Sequence, residues 1–242
     1  MQRKIKFQTN SNEIEVKTIY CIGRNYAEHT KEMNADTSEK PIIFIKPATA
    51  IPIGDMSKVE LPEFSNNIHH ELEIVILISK GGYQIKSQNA MEYISGVAVG
   101  LDLTLRDIQS EAKAKGHPWA IAKGFRNSAP ISDFLVVKDG EIAENLNDNQ
   151  KSDIDHNINN VEFELKINDE IRQKGNTSEM VMNMESLVEY VSSIFELQTG
   201  DIIYTGTPAG VAKINRGDRA TISIKNTNSL PNNLISKSFV FA

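Results

Sequence analysis

The stretch His70-Glu71-Leu72-Glu73-Ile74-Val75-Ile76 has the alternation of a β-strand and carries two carboxylates. Because residues i and i+2 point to the same side of a strand, we predict that Glu71 and Glu73 face one side and the aliphatic residues the other. Two neighbouring carboxylates repel each other and resist burial unless a cation or a proton joins them. The pattern therefore indicates either a cation site or an edge strand with two solvated glutamates.

A third acidic residue, Asp102, lies in a second apolar run, Val99-Gly100-Leu101-Asp102-Leu103-Thr104. Three carboxylates with no accompanying cysteine suit a hard divalent cation that is bound through oxygen. We therefore predict that Glu71, Glu73 and Asp102 bind Mg²⁺, with Mn²⁺ as the alternative ion. The other interpretation of Asp102 is a helix-capping residue.

Length and composition exclude several classes of protein. The chain has 242 residues, of which 40% are hydrophobic and 24% charged, enough for one large domain with a sizeable core. A net charge of −6 speaks against a nucleic-acid partner, which would require a basic face. The N-terminus lacks the apolar core of a signal peptide and no run reaches membrane-spanning length, so we expect no membrane partner and a cytoplasmic location. Cys21 is the only cysteine, and we expect a small buried residue there.

Strand patterns outnumber helix patterns and do not alternate regularly with them, which favours a mainly β, α+β fold over a doubly wound parallel sheet. Residues 1–17 are predicted to form a small N-terminal hairpin or extension, residues 18–242 a single catalytic domain, and residues 139–155 a solvated loop. The predicted strands include Thr18–Gly23, Ile42–Pro47, Ile68–Ser79, Val97–Thr104, Val161–Ile167 and Asp218–Lys225. The predicted helices are Gln88–Ser95, Arg106–Lys115 and Met184–Phe195.

His29 and Glu32 are three residues apart in a polar segment after Gly23. If that segment is helical, the two side chains share a face, and the carboxylate would raise the basicity of the imidazole. Such a pair suits a general base that acts on water. An ordinary surface pair is the alternative.

Three further polar residues follow Asp102. Arg106 and Gln109 start the predicted helix and are spaced to point back toward a ligand on Asp102. Lys123 lies in the apolar run Trp119–Phe125, so its ammonium is either buried among carboxylates or extended to the surface.

The segment Thr205-Gly206-Thr207-Pro208-Ala209-Gly210 offers hydroxyls and backbone N–H groups in a tight turn. Such a turn suits the binding of a carboxylate, although a plain turn has the same composition. It lacks the Gly-Lys-Ser/Thr ending of a P-loop, which argues against nucleoside triphosphates.

Taken in order over roughly residues 18–225, these segments resemble the fumarylacetoacetate hydrolase family, and most closely its acylpyruvase and oxaloacetate decarboxylase branch. The matching segments are Gly23-Arg24-Asn25-Tyr26 with His29 and Glu32, Lys46-Pro47, His70–Glu73, Gly100–Gln109, Lys123–Phe125, Arg172–Thr177 and Gly200–Val211.

The resemblance implies a mixed β-roll or barrel, a homodimer, and a role for each matched residue. Glu71, Glu73 and Asp102 would bind Mg²⁺, and His29 with Glu32 would form a catalytic dyad on a lid that orders over the substrate. Lys123 would be catalytic. The substrate's carboxylate and keto oxygens would be bound by Arg24, Arg106, Gln109 and Thr207. The chain departs from the branch at Ala129, where a cysteine is expected, and in a long segment at 139–160.

The implied substrate is a small 2-oxo acid. For an acylpyruvate, the His29–Glu32 dyad would deprotonate a water, hydroxide would attack the distal carbonyl, and the C3–C4 bond would break to give a carboxylic acid and the enolate of pyruvate. Lys123 would offset the enolate charge. Oxaloacetate decarboxylation or keto–enol tautomerisation would use the same site, as would isomerisation or decarboxylation of 2-hydroxy-dienedioates or hydrolysis of diketo sugar acids. A non-catalytic metal-binding protein is a different class, but it would not need Lys123, His29 and Glu32.

Overall fold

The computed structural model describes residues 2–8, 13–28, 41–53, 57–137, 158–225 and 233–242. The strands in these ranges are β1 (Lys4–Lys6), β2 (Glu13–Glu15), β3 (Thr18–Gly23), β4 (Ile42–Pro47), β5 (Lys58–Val59), β6 (Ile68–His70), β7 (Leu72–Ile78), β8 (Ile94–Leu101), β9 (Thr104–Leu105), β10 (Leu135–Val136), β11 (Glu162–Ile167), β12 (Glu170–Asn176), β13 (Ile202–Tyr204), β14 (Ala212–Lys213), β15 (Arg219–Lys225) and β16 (Asn233–Phe241). The α-helices are α1 (Arg106–Lys115), α2 (Ala120–Lys123) and α3 (Met184–Ser192).

A six-stranded sheet forms the centre of the molecule, in the order β10-β8-β7-β13-β3-β4. Strand β7 lies inside it and pairs antiparallel with both β8 and β13. Every residue of β7 is buried, because its alternating side chains enter two separate cores. Leu72, Ile74 and Ile76 pack in the larger core, and Val75 and Leu77 in the smaller one. Burial on both faces explains why this strand is apolar at nearly every position.

The remaining strands form three smaller sheets, with the orders β12-β11-β15-β16-β5, β14-β6-β9 and β1-β2. Each sheet in the described ranges has two edge strands, so none of them closes into a barrel. The predicted α+β class is confirmed, whereas the barrel part of that description is not.

Two strands predicted to be continuous are each interrupted at an acidic residue. Ile68–Ser79 is divided into β6 and β7 at Glu71, and the strand predicted to run to Thr104 is divided into β8 and β9 by Asp102 and Leu103. The chain enters the central sheet from the three-stranded sheet at Glu71 and returns to the three-stranded sheet after Asp102. The Asp102 N–H donates to the Glu71 carbonyl oxygen at 2.8 Å, which holds the two breaks side by side.

The helices are close to their predicted bounds. Helix α1 is confirmed and ends at Gly116, whose φ of +66° is the left-handed geometry that a glycine favours after a helix. Helix α3 begins after Asn183, whose side chain caps it by accepting from the Ser186 N–H, and it ends before the predicted Phe195. The helix predicted at 88–95 is a 3₁₀ segment, Ser87–Tyr93.

No helix in the described ranges is long and apolar enough to cross a membrane. Cys21 is fully buried, as expected for a small apolar side chain. The predicted loop at 139–155 lies outside the described residues.

Candidate metal centre and active site

Glu71, Glu73 and Asp102 form a compact buried cluster. Each contributes one carboxylate oxygen to a group whose members all lie within 4.8 Å of one another. Their exposed fractions are 6%, 2% and 1%, which rules out the alternative of solvated glutamates on an edge strand. The two strand breaks deliver Glu71 and Asp102, and β7 delivers Glu73.

Lys123, on α2, contacts two of these carboxylates. Its Nζ lies 2.8 Å from Glu71 Oε2 and 2.6 Å from Asp102 Oδ2, and its exposed fraction is only 3%. Burial alone would lower the pKa of the ammonium, but Asp102 and then Glu71 outweigh burial and raise that pKa above its usual value. Lys123 is therefore buried and protonated at neutral pH.

Lys46, on β4, is a second buried lysine that the sequence argument did not single out. It is fully buried, and its Nζ lies 2.8 Å from Asp102 Oδ1. The same ammonium donates to three backbone carbonyl oxygens, those of Leu103, Lys123 and Ser128. Its position in an apolar strand before a proline could have indicated a buried lysine, because the burial of Lys123 was considered on the same kind of apolar surrounding.

The cluster fits a divalent cation. The three hydrogens of the Lys46 ammonium go to the three carbonyls, so Asp102 Oδ1 has an electrostatic contact but no hydrogen-bond partner among the described residues. A buried oxygen of this kind is uncommon unless an ion or water completes it. Burial, followed by repulsion from Asp102, raises the pKa of Glu73 well above its usual value. An all-oxygen, anionic donor set suits Mg²⁺ or Mn²⁺.

Arg106 and Gln109 both lie at this cluster. Arg106 donates to Glu71 Oε1 at 2.5 Å and to Gln109 Oε1 at 2.6 Å. Thr104 also donates to Glu71 Oε1, at 3.1 Å. Helix α1 thus begins with its first turn against the cluster, so a ligand bound there would meet both side chains.

The predicted turn at 205–210 also borders the cluster. The Gly206 N–H donates to Glu73 Oε2 at 2.7 Å, and Thr207 is buried beside it. Gly206 has a φ of +105°, and a Cβ there would lie 2.8 Å from the Asn25 Cβ. Only glycine therefore fits, and Asn25 completes the packing by donating to the Thr205 carbonyl oxygen at 2.8 Å.

The structure treats the remaining predicted residues differently. Arg24 is half-buried and has a φ of +69°. Burial and then Arg106 lower the pKa of Lys113, and Arg24 adds a smaller contribution, so Arg24 lies near that lysine. His29 and Glu32 lie outside the described residues.

Gln173 is a second residue that the sequence argument did not assign. It lies in the quoted segment Arg172–Thr177 and hydrogen-bonds to both His70 and Thr207. No sequence pattern indicates these contacts, because they join segments about a hundred and about thirty residues away from it. Burial lowers the pKa of His70, which is therefore neutral at neutral pH.

Comparison with known proteins gives a consistent set of relatives. The family model for the fumarylacetoacetate hydrolase C-terminal domain matches residues 18–235. The mitochondrial oxaloacetate tautomerase FAHD1 of Mus musculus is 41% identical over 209 residues, covering 86% of this chain and 87% of that protein. The mitochondrial oxaloacetate decarboxylase of Dictyostelium discoideum is 39% identical over 204 residues, covering 83% and 85%.

A solved structure is similar to this chain over nearly its whole length. The crystal structure of fumarylpyruvate hydrolase from Pseudomonas aeruginosa, in complex with Mn²⁺ and pyruvate, has a TM-score of 0.84 and 32% identity, covering 99% of this chain and 95% of that one.

Proposed function

This chain belongs to the fumarylacetoacetate hydrolase family, and from that membership we propose that it is a divalent-metal-dependent enzyme that generates the enolate of a small 2-oxo acid. The buried cluster of Glu71, Glu73 and Asp102, with a protonated lysine against it, is the observation that carries the proposal. Oxaloacetate is the first substrate we propose, because the relatives at 39–41% identity are oxaloacetate tautomerases and a decarboxylase.

The charge of the site supports a dianionic substrate. The three carboxylates are balanced by three cations in contact with them, Lys46, Lys123 and Arg106. A divalent ion added to these six groups leaves two positive charges, which a dianion such as oxaloacetate would neutralise. Bound at the three carboxylates, Mg²⁺ or Mn²⁺ would supply Lewis acidity for the negative charge that develops on the keto oxygen.

The chain's own cations have separate tasks in this proposal. Lys123 is protonated at neutral pH, so it acts as an acid and charge partner and not as a base. It would offset the developing enolate and return a proton to carbon. Arg106 and Gln109 would hold the carboxylate of the substrate, and Arg24 would contact its distal end. The enclosed position of Lys123 strengthens its charge interactions, because little water screens them.

Acylpyruvate hydrolysis is the second candidate function, and the fumarylpyruvate hydrolase neighbour favours it. That reaction needs a water activated by His29 and Glu32, whereas oxaloacetate decarboxylation needs no attacking water. Tautomerisation of oxaloacetate would need a base that removes the C3 proton, and the His29–Glu32 pair would serve because Lys123 is already protonated. Glu32→Gln is therefore expected to impair acylpyruvate hydrolysis much more than Mg²⁺ binding. Equal losses of both would assign Glu32 to folding or to the metal.

A substrate panel tests the proposal. Oxaloacetate, acetylpyruvate, fumarylpyruvate and a diketo sugar acid would each be assayed with Mg²⁺, with Mn²⁺ and with EDTA. We expect metal-dependent turnover, fastest with oxaloacetate, that is lost in Asp102→Asn and kept in Asp169→Asn, a matched change in an exposed turn. A turnover rate in Asp102→Asn equal to that of the wild-type protein would overturn the proposal. No turnover of any substrate with either metal would also overturn it and would favour a binding protein.

The assembly and location remain proposals as well. We propose a homodimer, which light scattering would report as twice the 27.0 kDa mass of the chain. A cytoplasmic location stays a prediction from the sequence, to be checked by fractionating cells.

A further inference from the structure

Gln173 links His70 and Leu72, the two neighbours of Glu71, to the turn at Thr207, and no step proposed above uses it. It lies on β12 and is buried, with an exposed fraction of 2%. Four groups contact its amide, namely the Leu72 N–H, the His70 ring, the Thr207 hydroxyl and the Pro208 carbonyl.

Two backbone groups fix which way the amide points. The Leu72 N–H can only donate, and it lies 3.0 Å from Oε1. The Pro208 carbonyl can only accept, and it lies 3.0 Å from Nε2. Exchanging the oxygen and nitrogen of Gln173 would place two donors together and two acceptors together, so a single orientation satisfies both ends.

This orientation determines the direction of the other two hydrogen bonds. His70 Nδ1 lies 2.8 Å from Oε1, which accepts only, so Nδ1 carries the proton and donates. Thr207 Oγ1 lies 2.9 Å from Nε2, which donates only, so the hydroxyl oxygen accepts from Gln173. The hydroxyl proton of Thr207 must then point away from Gln173.

Among the described residues, that proton has only one acceptor within reach, and it is a weak one. The Pro208 carbonyl oxygen lies 3.5 Å from Thr207 Oγ1, which is too long for a strong hydrogen bond, and it already accepts from Gln173. The preceding residue, Gly206, donates its N–H to Glu73, so Thr207 borders the carboxylate cluster. A hydroxyl fixed as a donor there recognises an oxygen that accepts, such as a carboxylate or keto oxygen.

We propose that Gln173 is a positioning residue that fixes the Thr207 hydroxyl as a hydrogen-bond donor to the oxygens of a 2-oxo acid, with His70 holding the far end of the amide. This inference rests on the proposed function. It assigns a task to the segment Arg172–Thr177, and it makes the donor state of Thr207 a determinant of specificity for substrates with an anionic head.

The test reverses the direction of one hydrogen bond. In Gln173→Glu, assayed at a pH at which the new carboxyl is ionised, one oxygen still accepts from Leu72 and His70. The other oxygen accepts where Nε2 donated, and the hydrogen bond to the Pro208 carbonyl is lost. The Thr207 hydroxyl then turns its proton toward residue 173 and away from the substrate. Calorimetry would measure binding of oxalate, whose two adjacent carboxylates resemble a 2-oxo acid, in the presence of Mg²⁺. We expect affinity to fall by about tenfold, the effect of one lost hydrogen bond to a charged group.

A double-mutant cycle separates this effect from charge repulsion or misfolding. Thr207→Val lacks the hydroxyl and Thr207→Ser keeps it. We expect Thr207→Val alone to weaken oxalate binding by about tenfold, and Gln173→Glu to add nothing in that background while still weakening binding in Thr207→Ser. Steady-state kinetics should show the change in KM more than in kcat. Thermal unfolding confirms that each variant is folded.

The outcomes are distinguishable. If the wild-type protein with Mg²⁺ binds no oxalate, the proposed function itself fails. If it binds, and Gln173→Glu has no effect or has the same effect in Thr207→Val, the role of Gln173 is overturned. If Gln173→Glu does not fold, Gln173→Met decides, because it removes the Nε2 donor without adding a charge, and wild-type oxalate affinity in that variant would overturn the role of Gln173.

Discussion

Replacing Lys123 by methionine should abolish activity and at the same time tighten Mg²⁺ binding. Methionine has a similar length but no charge. The change removes the contacts of Nζ with Glu71 Oε2 at 2.8 Å and with Asp102 Oδ2 at 2.6 Å. Arg106 still contacts Glu71, and Lys46 still contacts Asp102, so the site loses one of its three cations.

Two magnitudes follow from this geometry. Removing one partner of a buried ion pair costs about 3–5 kcal/mol of stability. Because Arg106 and Lys46 still contact the two carboxylates, we expect Lys123→Met to lose about 3 kcal/mol without metal. A divalent ion in the variant no longer has the Lys123 ammonium as a neighbour, and we expect at least about tenfold tighter binding, or about 1.4 kcal/mol. At a Mg²⁺ concentration that stabilises the wild-type protein by about 2.7 kcal/mol, the variant should gain about 4.1 kcal/mol.

Urea unfolding in Mg²⁺ and in EDTA measures both quantities, and Lys115→Met on the exposed face of α1 is the matched control. We expect the deficit of Lys123→Met to shrink in Mg²⁺ and that of the control to stay constant. A deficit that is the same with and without Mg²⁺, or weaker Mg²⁺ binding in Lys123→Met, would refute the view that this ammonium and the metal share the same carboxylates.

Three other predictions concern stability. Lys46→Met should lose about 3–5 kcal/mol in urea unfolding, because Asp102 and three carbonyl oxygens lose a buried cation; a loss as small as that of Lys115→Met would contradict this. Gly206→Ala should lose about 2–4 kcal/mol and weaken Mg²⁺ binding, because its φ is +105° and its new Cβ meets Asn25; Gly217→Ala, with a φ of +91° and no atom within 4 Å, should lose only about 1 kcal/mol. Burial, followed by Arg106, lowers the pKa of His69 from 6.5 to about 4. The unfolded chain therefore binds this proton more readily than the folded protein does, and the folded protein loses stability as the pH falls from 6.5 toward 4. His69→Gln should therefore remove about 1 kcal/mol of the stability that the wild-type protein loses between pH 7 and pH 5, a value halved because the ring is partly exposed. Identical pH profiles of stability for the two proteins would show that His69 does not titrate as described.

Local patterns in the sequence predicted the elements and much of the cluster. The alternation in Val161–Ile167 and the glycine after α1 are short-range signals, and both elements have the expected bounds or nearly so. The buried state of Glu71, Glu73 and Lys123 follows from charges in apolar surroundings, which need partners wherever they occur.

The strand breaks and the two unassigned residues depend on contacts between distant segments. Nothing near Glu71 or Asp102 indicates that the chain changes sheets there. The change depends on the pairing of β6 with β9, which are separated in the chain by β7 and β8. Lys46 acts on carbonyls 57 to 82 residues later, and Gln173 on a histidine 103 residues earlier. Periodicity reports the face of an element and not its distant partners.

The central claim is that Glu71, Glu73 and Asp102 hold one divalent ion that meets the substrate. Electron paramagnetic resonance of Mn²⁺ tests it directly, by counting bound ions and by showing whether pyruvate changes the spectrum of the bound ion. We predict one ion per chain and a pyruvate-dependent spectrum in the wild-type protein and in Asp169→Asn, with binding weakened by at least about tenfold in Asp102→Asn. Unchanged Mn²⁺ binding in Asp102→Asn, or a spectrum that pyruvate does not alter, would contradict the account.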